Sequence, residues 1–281
     1  RQMCIRDSTS LDELGWFSFE PRVRHHIVAS LEDPTLPDAE IIFQPGAPPR
    51  LGEPVVLVQG YKLLSAAFER PAFRAACPKL CVASWLTEIG VAWGSDPAQM
   101  LYSPLGIDQD QFRVRTPIDE RPIDVAMLYA THPVKGAEDG LRALEGLHRR
   151  RPGARIVLFG LEAPGSLPDW VEHRHAPSRD ELAREVYGEA KVLLQPSWRE
   201  GFGLTSIEAM ACGAALVTTD NGGSRDYASD GRTASVCPRR DPEALTDALD
   251  RLLGDDQARR RLAEAGTDVA AAFTWERAME T

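Results

Sequence analysis

Two glutamates, Glu200 and Glu208, bracket the Gly-x-Gly turn of WREGFGLTSIEAMACG, residues 198–213. Glu208 falls inside an otherwise apolar helical pattern, with no other charged residue between Leu204 and Gly213. Such a carboxylate is expected to be at least partly buried, and burial without partners costs several kcal/mol, so hydrogen-bond donors must come from elsewhere. The hydroxyl pair of a ribose would serve, as would the backbone N–H groups of a neighbouring loop that Glu208 caps; both readings stay open at this level.

Three stretches place glycine or cations where a strand gives way to a helix: THPVKGAE, SWREGFGL and DNGGSRDY. In an open parallel sheet, ligands settle at the carboxyl ends of strands, and anions at the amino end of the following helix, where free N–H groups and the helix dipole both point. Lys135 with Gly136 in the first loop, and Gly201 with Gly203 in the second, outline a nucleoside-diphosphate pocket together with the third. A rival reading takes GFGLTS with the later Asp220 as a dinucleotide fingerprint and its ribose-binding acid, which would make the protein an NAD(P)-dependent oxidoreductase. Against that reading, Gly201 stands several residues beyond its strand, whereas the fingerprint turn follows its strand directly. A non-catalytic nucleotide-binding fragment is the third reading.

The elements that must position these residues alternate regularly. IDVAMLYA (123–130) reads as a buried strand, AEDGLRALEGLHRR as an amphipathic helix and ARIVLFG (154–160) as the next strand. SRDELAREVYGEA opens with Ser178 and Glu181 in capping-box spacing, and KVLLQPS, AALVTTD, TASVCP and the helix DPEALTDALDRLLG continue the rhythm. Strands joined by single helices of this length imply a parallel sheet covered on both faces. Earlier in the chain AEIIFQ, PVVLVQG and KLCVAS read as short strands around a Phe/Ala-rich helical stretch, half a sheet of the same type. The expected organisation is α/β: a partial amino-terminal Rossmann-like domain over 9–112, a linker over 113–121 within PLGIDQDQFRVRTPIDERP, and a nucleotide-binding Rossmann-like domain over 122–281. Residues 1–8, RQMCIRDS, lack an initiator Met and resemble translated adapter sequence; they are read as a non-native leader, which makes the chain an expected fragment.

With 281 residues, 43% hydrophobic and 26% charged, the chain has globular composition. The net charge of −10 argues against nucleic-acid binding, which needs a clustered positive surface. LHRRRPGARI is the single basic cluster, at an expected helix end where it complements the dipole. The five cysteines are unpaired in spacing, and His173 with His175, expected on one face of a strand, has no evident third ligand, so neither a disulfide framework nor a metal is expected. A transmembrane segment and a signal segment are also not expected, which fits a cytoplasmic protein.

EGFGLTSIE followed by AMACG and TTDNGGSRDY resembles the E-x7-E region of glycosyltransferase family 4, retaining enzymes of GT-B fold. HPVKG resembles that family's phosphate loop, SPLGIDQDQF its interdomain segment and VLVQGYKLL an amino-domain loop facing the cleft. The resemblance implies two Rossmann-like doubly wound domains facing a cleft, the first incomplete here. It implies transfer of a glycosyl group, hexosyl in type, from a nucleotide-sugar donor to a glycan, lipid-linked sugar or small molecule, without metal or other cofactor. Peripheral membrane contact is compatible with such an acceptor. Glu208 would hold the donor ribose and Glu200 the donor sugar. The Gly201, Phe202, Gly203 and Leu204 backbone, with Thr205 and Gly136 beside it, would line the phosphates, and Lys135 would neutralise the leaving diphosphate.

The departures are specific. Ala130 stands where the family commonly has an arginine, so Arg199 or Arg225 is expected to supply the missing positive charge. Gln59 replaces a histidine on the acceptor side, where it can hydrogen-bond a sugar but cannot act as a base. Asp226 takes a position usually held by Glu. No Gly-rich loop precedes Pro45, so the first strands of the amino domain are expected to be missing.

Overall fold

The structure is a computed structural model that describes residues 2–5, 24–27, 41–42, 53–61, 73–162 and 164–280. In the amino part, β1 (Gln2–Ile5) pairs in parallel with β2 (Arg24–Ile27), and β3 (Ile41–Ile42) with β4 (Glu53–Pro54). Residues 2–5, set aside as leader on sequence, thus carry a strand. Next, β5 (Val56–Val58), β6 (Lys79–Cys81) and β7 (Met100–Tyr102) form a parallel three-stranded sheet, with α1 (Ser84–Ala92) between the last two. Of AEIIFQ the described residues are the two isoleucines, both in β3; most of the Phe/Ala-rich stretch lies outside the described residues, as do most of the residues before Pro45.

The carboxyl part runs β8 (Ile123–Leu128), α2 (Ala137–Arg150), β9 (Ile156–Gly160), β10 (Val171–His175) and α3 (Arg179–Glu181), which continues as a π-helical turn over Leu182–Val186. It goes on through β11 (Ala190–Gln195), α4 (Leu204–Ala211), β12 (Ala215–Thr219), β13 (Ser235–Cys237), α5 (Pro242–Gly254), α6 (Asp256–Ala270) and α7 (Trp275–Met279). The six strands are all parallel in the order β10-β9-β8-β11-β12-β13. Numbered within the sheet this is the doubly wound order 3-2-1-4-5-6, and it turns back on itself between β8 and β11.

Period-two alternation explains why both faces are covered. Val157, Phe159, Leu193 and Leu216 enter one apolar cluster, while Ile156, Leu158, Val192, Leu194, Ala215 and Val217 enter the other. Helix α2 supplies Ala143, Leu144 and Leu147 to the second cluster. Its first turn carries Glu138 and Asp139 and its last turn His148, Arg149 and Arg150, each end matched to the helix dipole.

Arg121 fastens the linker to the carboxyl part. It is buried, and its guanidinium donates to the carbonyls of Thr116, Ala190 and Cys212 at 3.1, 2.9 and 2.7 Å; burial lowers its pKa to about 10. The chain also returns toward the amino part at its end. Ile107 N donates to Phe273 O at 3.0 Å, Ser103 Oγ to Ala278 O at 3.3 Å, and Gly106 lies so close to the backbone of Trp275 that a Cβ would collide with it.

The expected capping box is present: Ser178 Oγ accepts from Glu181 N at 3.3 Å and Ser178 N donates to Glu181 Oε2 at 2.7 Å. Ser178→Ala is expected to destabilise the chain by about 1 kcal/mol in urea unfolding, the usual worth of a hydroxyl cap. An unchanged midpoint would show that packing alone holds α3.

Candidate active site

The loops after β8 and β11 part at the switch point of the sheet, and there Lys135 meets Glu200. Lys135 ends a 3-10 turn, Pro133–Lys135, that His132 caps through Nδ1. Gly136 then takes a left-handed φ of +65°, and a Cβ there would fall inside the contact radius of Pro196 O, so this loop is seated directly on the one after β11. Trp198 N donates to Val134 O at 2.7 Å and Trp198 Nε1 to Asp139 Oδ2 at 2.6 Å, pinning the two loops a second time.

Glu200 is buried and held from four directions. Lys135 Nζ is 2.9 Å from both carboxylate oxygens, while Gln195 Nε2 and Ser197 Oγ reach Oε1 at 2.8 and 2.7 Å. Its own N–H goes to Asn221 O at 3.0 Å. A carboxylate so satisfied is a fixed negative point, and it fixes the ammonium beside it. The lysine side chain is 32% exposed and that of Glu200 8%, so the ammonium is the more open of the two to a ligand.

The turn that follows divides its hydrogen-bonding groups by kind. Gly201 O accepts from Trp85 Nε1 at 2.9 Å, and Tyr227 Oη lies 2.9 Å from Phe202 O and 3.0 Å from Gly203 O. Gly203 O also takes Ser206 N at 3.0 Å. The carbonyls are therefore occupied. The N–H groups of Gly201, Phe202, Gly203, Leu204 and Thr205 donate to no group of the chain among the described residues. Gly201, Phe202 and Gly203 are buried, and buried N–H groups are rarely left without an acceptor; a row of free donors at the head of a helix has the chemistry to receive an anion. Gly203 has φ +92°, and a Cβ there would press on Tyr227 Oη. The Phe202 ring instead packs in the core against Tyr227 and Phe273.

Glu208 lies one turn deeper in α4 and is 7% exposed. Its partner comes from outside the helix: Arg179 Nη2 is 3.5 Å from Oε1, with the guanidinium over the Phe112 ring at 5.1 Å. No backbone N–H among the described residues donates to the Glu208 carboxylate. Burial raises its pKa to about 7 against the opposing pull of Arg179, and the phenol of the buried Tyr187 feels its charge.

The remaining expected residues are placed as follows. Thr205 is near Tyr187, Leu204 is exposed, and Arg199 N donates to Val134 O at 3.4 Å. Arg225 is committed to a bidentate pair with Asp220, at 2.7 and 2.8 Å, so it reaches the site already neutralised. Gln59 follows β5, is exposed, and lays its backbone carbonyl against Gly201. Asp226 bridges to the amino part, where it accepts from Ser84 N at 3.0 Å and from the Ser84 hydroxyl at the start of α1. His173 and His175 have ring centroids 6.2 Å apart. Gln195, Ser197, Arg179 and Trp85 were not legible as site residues in the sequence; only the glycine pair Gly222 and Gly223, which packs on Trp85 and on the Gly201 carbonyl, hinted at a close approach there.

The dinucleotide reading does not survive this geometry. Its fingerprint belongs to the turn after the first strand of the sheet, whereas Gly201 and Gly203 follow the fourth, and Asp220 is engaged by Arg225.

The family model for "Glycosyl transferases group 1" matches residues 108–269, more than half of the chain. The chain belongs to the group 1 glycosyltransferases. The D-inositol 3-phosphate glycosyltransferase of Paenarthrobacter aurescens (strain TC1) is 30% identical over 207 residues, which take in 66% of this chain and 50% of that one. A glycosyltransferase from Rickettsia africae ESF-5 superposes with a TM-score of 0.75 at 15% identity, covering 99% of this chain and 87% of that one. HepE of Anabaena, solved in complex with UDP-glucose, superposes with a TM-score of 0.68 at 15% identity, covering 82% and 70%. These superpositions show a GT-B fold, as expected from the sequence. The group 1 glycosyltransferase chain described here spans about half the length of the curated relatives it matches.

Proposed function

We propose that the protein transfers a glycosyl group from a nucleoside-diphosphate sugar to an acceptor, with the anomeric configuration retained. The observation that carries this reading is the row of N–H groups at Gly201–Thr205, unpaired among the described residues, beside the Lys135–Glu200 pair: donors and a half-exposed positive charge where a diphosphate would lie, and a fixed carboxylate beyond them. In that arrangement the Gly201, Phe202 and Gly203 amides hold the diphosphate, and Lys135 meets the charge that grows on its terminal phosphate as the glycosidic bond breaks. At about 4 Å a unit pair is worth roughly 1 kcal/mol in water but about 4 kcal/mol at an effective dielectric of 20, so the half-buried setting makes the lysine effective. Glu200 orients the lysine and meets the donor sugar, Glu208 accepts from the ribose hydroxyls, and Gln59 borders the acceptor side. The anionic leaving group is met, in this reading, by the amides of the Gly201–Thr205 row and by Lys135. The complex of the fold relative HepE with UDP-glucose makes uridine the first base to try.

The test presents the full chain with UDP-, GDP- and ADP-glucose, measures nucleoside-diphosphate release, and reads the anomer of the first-formed sugar by proton NMR. Release from one of these α-linked donors with an α product is the expected result. A β product would end the assignment of retention, and no binding of any donor would end the reading itself.

A further inference from the structure

We infer that Trp85, a residue of the amino part, is a positioning residue for the diphosphate loop of the carboxyl part: by gripping the Gly201 carbonyl it aims the Phe202 N–H at the ligand. The inference rests on the glycosyltransferase reading for the identity of that ligand, and on geometry for everything else.

In a trans peptide the C=O and N–H point in opposite directions, and no cis bond occurs among the described residues. Whatever holds the oxygen of residue i therefore aims the amide of residue i+1. Tyr227, through Phe202 O and Gly203 O, sets the amides of Gly203 and Leu204 from inside the carboxyl part. The Gly201–Phe202 peptide oxygen accepts no hydrogen bond from the carboxyl part among the described residues. It is held by the indole N–H of Trp85, 116 residues earlier, in a buried hydrogen bond of 2.9 Å.

Three further contacts keep the indole there. The neighbouring Ser84 gives both its N–H and its hydroxyl to Asp226. Gly222, with φ +90°, lies against the indole so closely that a Cβ would stand 2.9 Å from its ring atoms, and the parallel bridge between Glu200 and Gly222 joins that glycine to the loop. Tyr61 packs edge-on to the other side of the ring system at 6.2 Å. The amino part thus contributes more than an acceptor wall. It sets one of the donor-side amides, and the geometry of the diphosphate site depends on contact between the two halves.

The test compares Trp85→Phe with Trp93→Phe in the full chain. Trp93 belongs to the same aromatic group, packing on Tyr61 at 5.0 Å, so its variant reports loss of indole packing in that group. Two quantities are read: nitrogen-15 relaxation dispersion of the Gly201, Phe202 and Gly203 amides without ligand, and dissociation constants for inorganic pyrophosphate, UDP, GDP and ADP. In Trp85→Phe, millisecond exchange is expected at those three amides, with binding of pyrophosphate and the preferred nucleotide about tenfold weaker; Trp93→Phe is expected to match the parent in both. Unchanged amides, exchange spread over the whole chain, or mobile amides with unaltered affinity would each overturn the inference. If the parent chain binds none of the four anions while the variant still mobilises the loop, the glycosyltransferase reading fails and the hold of Trp85 on the loop stands.

Discussion

Glu208→Gln is expected to make the ligand-free chain more stable at pH 8 and, in the same stroke, to weaken its affinity for a nucleoside diphosphate. The sign follows from burial. The Glu208 carboxyl titrates near 4.5 in the unfolded chain and at about 7 in the folded one, because α4 takes it out of water and Arg179 recovers only part of the loss. Between those values the folded protein holds a proton that the unfolded chain has released, so stability falls as pH rises from 4.5 and levels off above about 7. At about 1.4 kcal/mol per pKa unit, the penalty at pH 8 is on the order of 3 kcal/mol. Glutamine carries no such penalty. Urea unfolding at pH 5 and pH 8 is expected to show the variant gaining on the parent at the higher pH; equal slopes in both proteins would mean that the carboxylate has found partners in solution that it lacks here. Binding runs the other way with pH. The ionised carboxylate can accept from both ribose hydroxyls and its protonated form cannot, so affinity is expected to weaken below pH 7 in the parent and to be weak and independent of pH in the variant.

Lys135→Ala is expected to lower kcat by about 100- to 1000-fold, the range found when one donor to a developing negative charge is removed. The loss belongs in kcat because the lysine charge is worth most when the diphosphate departs, whereas the amides of the Gly201–Thr205 row continue to bind the ground state. The same change leaves Glu200 buried with Gln195 and Ser197 as its remaining side-chain donors among the described residues, so a lowered melting temperature accompanies it. A raised KM with unaltered kcat would reduce Lys135 to a ground-state contact.

Much of this architecture was legible from local pattern. The helix expected over AEDGLRALEGLHRR is α2 residue for residue, the buried strands at 123–128 and 156–160 fall inside the apolar runs that announced them, and the strand at 190–195 begins one residue before its run. Those signals are local, since a strand buried on both faces must be apolar throughout its length. The strand Met100–Tyr102 carried no such signal: it is short, and its last residue is exposed. Within the site, Glu200, Lys135 and Glu208 could be named because their spacing is a property of the chain, but their partners could not. Arg179 reaches Glu208 from the connection after β10, and Trp85 reaches Gly201 from another sheet. Such meetings are decided by tertiary packing, and no periodicity records them. The helical pattern of SRDELAREVYGEA likewise showed the capping box but not the change to π-helical bonding after Glu181.

The fastening of Arg121 has a mechanical consequence. With residues 116–121 bolted to the carboxyl part, that stretch cannot serve as the pivot between the halves, although it has the composition of one. The chain crosses between them near Gly106 and Ile107 and crosses back near Phe273 and Trp275, and the two crossings are bonded side by side. The two crossings thus share one bonded seam, and the contact of Trp85 with Gly201 ties the halves together a second time, away from it.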